Sequence, residues 1–117
     1  MENMNKFDLE DRTAKLGENI ITFCQSLRIT IINESLIKQL IRSSTSIGAN
    51  YMEANGGNSK KDFKNKISIC KKEAKETLHW LRMLAVTNKE QKEKLRILWQ
   101  ETHEIVLIFA KILSSSK

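Results

Sequence analysis

The side chains best placed to do chemistry together are Lys60, Lys61, Lys64, Lys71, Lys75 and Arg82. All but Lys60 share a row about 100° around a helix from an apolar seam of Phe63, Ile67, Cys70, Ala74, Thr77, Leu81 and Leu84. The seam advances in alternating steps of four and three residues, the period of one buried helical stripe. A row of ammonium and guanidinium groups holds phosphates and needs neither base nor nucleophile. Helix stability does not account for the row. Lys60 and Lys61 fall in a first turn, where the helix dipole disfavours a cation by about 0.3–1 kcal/mol. Lys71 and Lys75 repel at i, i+4. The competing explanation is an ordinary solvated face.

Other constellations are thinner. Glu73 and Glu76 share a face, but Lys72 is spaced to pair with Glu76, so a solvated ion pair is expected there and not an acid/base couple. His79 and His103 lack metal-ligand spacing, and no metal, cofactor or catalytic residue is expected. Gly56-Gly57 lacks the flanking pattern of a phosphate loop and acts as a helix stop. Arg96 and His103 enclose six residues, a spacing that resembles the active motif of HEPN-type helical ribonucleases. There a His moves protons and an Arg holds phosphate; chance spacing on a helix, with Trp99 and Ile97 partly buried around it, is the alternative.

The chain has 117 residues, no proline and four glycines, which leaves helices as the default element of a single domain. Lys and Arg number 20 against 14 Asp and Glu, a balance that favours polyanions without requiring them. Cys24 and Cys70 occupy apolar helical positions, read as buried thiols of a reducing cytoplasm more than as a disulfide. The N-terminus lacks the apolar core of a signal peptide, and the longest apolar run, Ile105 to Ala110, is far short of a membrane span. A soluble, cytoplasmic protein is expected.

Periodicity predicts four helices, near residues 6–29, 34–55, 59–87 and 89–113, in an all-α, up-down-up-down four-helix bundle. The first, starting near Asn5 or Phe7, has a seam of Leu9, Thr13, Leu16, Ile20, Phe23 and Leu27 and should fail in the β-branched run Ile29 to Ile32. Asn33 is the expected cap of the second. Its small residues, Ser43 to Ser46 with Gly48, Ala49 and Asn50, suit close approach of another backbone. Ser59 should cap the third, with Asp62 reaching back. Folding back through the short turn brings Glu53 near Lys60 and Lys64, and Asn50 near Lys66 and Ile67. Asn88 with Gln91, or Thr87 with Glu90, is a capping box for the fourth helix, and the tail from Ser114 should fray. Opposite the basic row run Lys66, Ile69, Glu73, Glu76, Trp80 and Met83, whose apolar members Ile69, Trp80 and Met83 are candidates for an oligomer interface or for the helix's own broad buried stripe.

The run Ser46-Ile47-Gly48-Ala49-Asn50-Tyr51, with Glu53-Ala54, Ser59-Lys60-Lys61-Asp62-Phe63, Lys66, Lys72-Glu73, Glu76-Thr77 and Trp80-Leu81, resembles the 23S rRNA intervening sequence proteins. Gln39-Leu40 and Arg42-Ser43 resemble that family's entry into its second helix. The resemblance implies a four-helix protomer of a bacterial cytoplasm assembling into a ring, commonly a pentamer. Relatives include an accessory protein of retroelements whose basic barrel engages nucleic acid. The family name records where some members are encoded and not an activity. Carried over, Asn50, Glu53, Asp62, Lys66, Glu73, Glu76 and Trp80 are signature positions expected to hold helices or subunits together. Gly48-Ala49 stands where many relatives have Pro and a small residue, so a kink in the second helix is not expected. The resulting expectation is a non-enzymatic oligomer binding RNA or DNA through the basic row. A protein-binding scaffold is the alternative and a metal-independent ribonuclease the remote one.

Overall fold

The computed structural model describes residues 6–57 and 59–115, with side chains from residue 8 onward. It contains helices α1 (Lys6–Gln25), α2 (Ile31–Asn55), α3 (Lys60–Thr87) and α4 (Lys92–Ser115), with a 3-10 turn at Lys89–Gln91 leading into α4. No strand occurs among the described residues. Asn5, an expected start of α1, and Ser116-Lys117 of the tail lie outside them, while Ser114 and Ser115 continue α4.

Contacts between neighbouring helices run in opposite directions along the chain. Gly48 of α2 lies against Thr13 of α1, and Thr45 against Gly17. Ser43 and Thr77 share a buried hydrogen bond of 2.9 Å, and the Cys70 thiol donates to the Ile47 carbonyl. Arg12 closes α1 onto α4 through Glu101, at 2.7 Å. The result is the up-down-up-down four-helix bundle that the periodicity predicts.

α3 spans about 42 Å at ~1.5 Å per residue, nearly the 44 Å length of the molecule. Its seam residues Ile67, Cys70, Ala74, Thr77, Leu81 and Leu84 are each at most 1% exposed. The seams of the other helices meet them around Phe109, Ile105, Leu40, Ile47, Leu16 and Ile20. Cys24 and Cys70 are buried and free, and burial raises both thiols, to about 11 and about 12.

The small residues of α2 admit α1. A Cβ added at Gly48 would stand 3.3 Å from the Thr13 hydroxyl oxygen. Four hydroxyls that would weaken a helix by competing for its backbone are turned onto carbonyls of their own helix: Ser43 onto Leu40, Ser44 and Thr45 onto Ile41, and Ser46 onto Arg42. α2 continues unbroken through Gly48.

Boundaries near the first link differ from expectation. α1 ends at Gln25, and Thr30, not Asn33, caps α2, its hydroxyl accepting from the Asn33 N–H at 3.0 Å. Ile31 and Ile32 are helical because β-branching is penalised by crowding against a preceding turn, and a first turn has none. Asn33, 2% exposed, instead exchanges hydrogen bonds with Asn88, 1% exposed, and accepts from Thr87. Asn88 is thereby drawn out of the expected capping box, and its side chain caps nothing in the following turn. Gly56 ends α2 at φ −92°, without the left-handed conformation. The close contact is at Gly57, where a Cβ would lie 3.2 Å from the Ala54 carbonyl oxygen.

Candidate nucleic-acid interface

The Ser59 hydroxyl accepts from the Asp62 N–H at 3.0 Å, which fixes the start of α3 and so the direction in which its lysines leave the helix. Lys60, Lys61, Lys75 and Arg82 are exposed; Lys64 and Lys71 are half-buried, their stems lying along the surface. Among the described residues, no carboxylate forms an ion pair with Lys61, Lys64, Lys71, Lys75 or Arg82. Ser68, Lys71, Lys72 and Lys75 line a shallow cavity of about 390 Å³ where α3 passes the end of α4, with Leu113 as its apolar wall.

The opposite flank is neutralised from α2. Arg42 sends one guanidinium nitrogen to Glu73, at 3.3 Å, and another to Glu76, which also accepts from the Trp80 indole at 3.1 Å. Lys72, spaced to pair with Glu76, acts on it only at longer range, and the two-donor fork of Arg42 makes the ion pairs. The Trp80 and Arg42 hydrogen bonds lower the Glu76 carboxyl below its ordinary range, and the Glu76 bond raises Arg42.

Glu53 pairs with Lys66 at 2.5 Å. The α2–α3 contacts Ser43–Thr77, Ile47–Cys70 and Glu53–Lys66 place the α3 partner two to five residues further along than a symmetric fold-back about the Gly56–Ser59 link would. Asn50 bonds its own helix, its amide donating to the Ser46 carbonyl at 2.9 Å. Trp80 and Met83 are half-buried, and Ile69 is 37% exposed.

Arg96 forms an ion pair with Glu93 one turn back, which lowers the Glu93 carboxyl and raises the guanidinium. His103 stacks on Trp99 at 5.0 Å between ring centroids, and no hydrogen bond joins it to Arg96. His103 is half-buried, while Ile97 is 56% and Trp99 37% exposed, so the partly buried setting holds for the His alone. Among the described residues no group of three His, Cys, Asp or Glu is placed to hold a metal ion, and no helix is long and apolar enough to cross a membrane.

Two features escape sequence reasoning. Lys72 belongs to the cavity, a placement signalled by the i, i+3, i+4, i+7 spacing of Ser68, Lys71, Lys72 and Lys75. Ile29, Ile31, Ile32 and Val86 are 58–88% exposed, and the Asn33–Asn88 hydrogen bonds bring the segments carrying them to the same end of the bundle.

No curated protein matches this sequence. The family model for the 23S rRNA-intervening sequence protein matches residues 5–111. Among solved structures, a protein of unknown function from the S23 ribosomal protein family of Bacteroides thetaiotaomicron VPI-5482 is similar. It shares 30% identity at a TM-score of 0.80, over 90% of this chain and 97% of that one. With a bundle of the same shape and a family match spanning all four helices, this chain belongs to the 23S rRNA-intervening sequence protein family.

Proposed function

We propose that the protein is a non-enzymatic, cytoplasmic, oligomeric bundle that binds nucleic acid, structured RNA in the first place, through the basic face of α3. The observation that carries this reading is the absence of any described carboxylate partner for Lys61, Lys64, Lys71, Lys75 and Arg82 on a helix whose other flank is paired. Ring assembly, the family's expected habit, would repeat this face so that weak phosphate contacts act together. The exposed Ile29, Ile31, Ile32 and Val86 support a contact with further copies, alongside Ile69, Trp80 and Met83. They equally favour a second reading, a scaffold whose partner is a protein.

The test is Lys→Glu at Lys61, Lys64, Lys71 and Lys75 together. Circular dichroism and the light-scattering mass should stay as in the wild type while salt-sensitive RNA binding is lost. Unchanged RNA binding rejects the assignment. A partner retained after nuclease treatment and after the four substitutions favours the scaffold. Cleavage of RNA in EDTA that His103→Ala abolishes would establish the ribonuclease instead.

A further inference from the structure

We infer that the cavity formed by Ser68, Lys71, Lys72 and Lys75 against Leu113 is a phosphate-binding subsite that seats one phosphodiester of a nucleic-acid backbone with its sugar against the leucine; this rests on the nucleic-acid reading above. The four polar residues occur at i, i+3, i+4 and i+7, so their side chains leave α3 on one face and converge on a single concavity. Its volume of about 390 Å³ lies at the small end of ligand pockets, which run from about 300 to 1,000 Å³.

The chemistry of the lining is selective. Three ammonium groups and a hydroxyl supply donors, and among the described residues none of the three lysines is ion-paired. The acids beside these lysines on the helix, Glu73 and Glu76, are ion-paired to Arg42, and Lys72 acts on Glu76 only at longer range. Lys71 with Lys75, and Lys72 with Lys75, repel at i, i+4 and i, i+3, and a seated anion turns that repulsion into attraction. Leu113 gives the cavity a dry wall, suited to the carbon skeleton of a ribose and unsuited to a fully hydrated ion.

The competing structural role is to answer the negative end of α4, which has no basic residue in its last turn. That end carries roughly half an elementary charge, too little to balance three ammonium groups. A surplus of positive charge remains for a ligand.

The experiment measures the affinity of a short labelled RNA by fluorescence anisotropy at one fixed salt, using the full chain. Two variants remove equal charge: Lys72→Gln with Lys75→Gln inside the cavity, and Lys61→Gln with Lys64→Gln outside it. A third, Leu113→Trp, fills the cavity and leaves the charge unchanged. The inside pair should lose about tenfold more affinity than the outside pair, and Leu113→Trp should weaken binding similarly. Pyrophosphate should displace RNA from the wild type and the outside pair at concentrations that do not displace the RNA still held by the inside pair. Equal losses from both pairs, whatever Leu113→Trp does to packing, overturn the subsite and leave the basic face standing. Affinity unchanged in the inside pair, with a lowered unfolding temperature, assigns those lysines to the α4 terminus and also overturns it. An absence of salt-sensitive RNA binding by the wild type overturns the nucleic-acid reading itself.

Discussion

On one flank of α3, Glu73 and Glu76 are closed by Arg42 and the Trp80 indole, and Lys66 by Glu53, so each charge reaches across to α2 or along its own helix. On the other, Lys61, Lys64, Lys71, Lys75 and Arg82 have no carboxylate partner among the described residues. Both flanks leave the same buried seam and differ only in which helix faces them. Paired charges serve the fold, because each closes a contact between elements; a like-signed row weakens its own helix slightly and is suited to something outside it.

The largest expected effect strikes both flanks at once. Ile67→Ala removes a fully buried branched side chain from the seam and should cost about 2–5 kcal/mol in urea denaturation, with the basic face lost only where the bundle unfolds. Next is Arg42→Met, which removes the ion-pair partner of Glu73, 14% exposed, and of Glu76, 30% exposed. A loss of about 0.5–1 kcal/mol with RNA affinity retained would keep the flanks separate. An equal fall in RNA affinity would merge them.

The pH dependence should follow the paired flank. The Glu76 carboxyl is lowered by its hydrogen bonds from Trp80 and Arg42, so the folded protein binds fewer protons than the unfolded chain between the depressed value and the ordinary Glu pKa of about 4.3. Stability from this group is therefore present above that ordinary value and is lost as pH falls through the depressed one. Glu76→Gln should flatten this acid limb of the unfolding curve. The smallest effect belongs to Lys71→Gln with Lys75→Gln: removing one i, i+4 repulsion should change stability by only about 0.2–0.5 kcal/mol, in the stabilising direction. A clear loss would make the basic row structural.

What the sequence could show followed from range. The α3 seam and the Ser59 cap are local patterns, and all six inner seam residues are buried where the period puts them. Asn33 fits a cap by residue type, but its amide is taken by the Arg28 carbonyl and by Asn88, a partner that no local window joins to it. Loop length alone does not fix which side chains meet where two helices interlock, so the pairing of Glu53 with Lys66 is not legible in the spacing. The i, i+4 spacing points Lys72 at Glu76, but Arg42, far away in sequence, occupies that carboxylate.

The most direct test of the contrast is the slope of log Kobs for RNA against log salt. Each phosphate contact contributes about 0.7–0.9 to its magnitude. The account predicts a measurable slope in the wild type, a slope shallower by about 3 when Lys61, Lys64, Lys71 and Lys75 are changed to Gln, and the wild-type slope in Arg42→Met. A slope that the four lysines do not alter, or that Arg42→Met reduces as much, would contradict it.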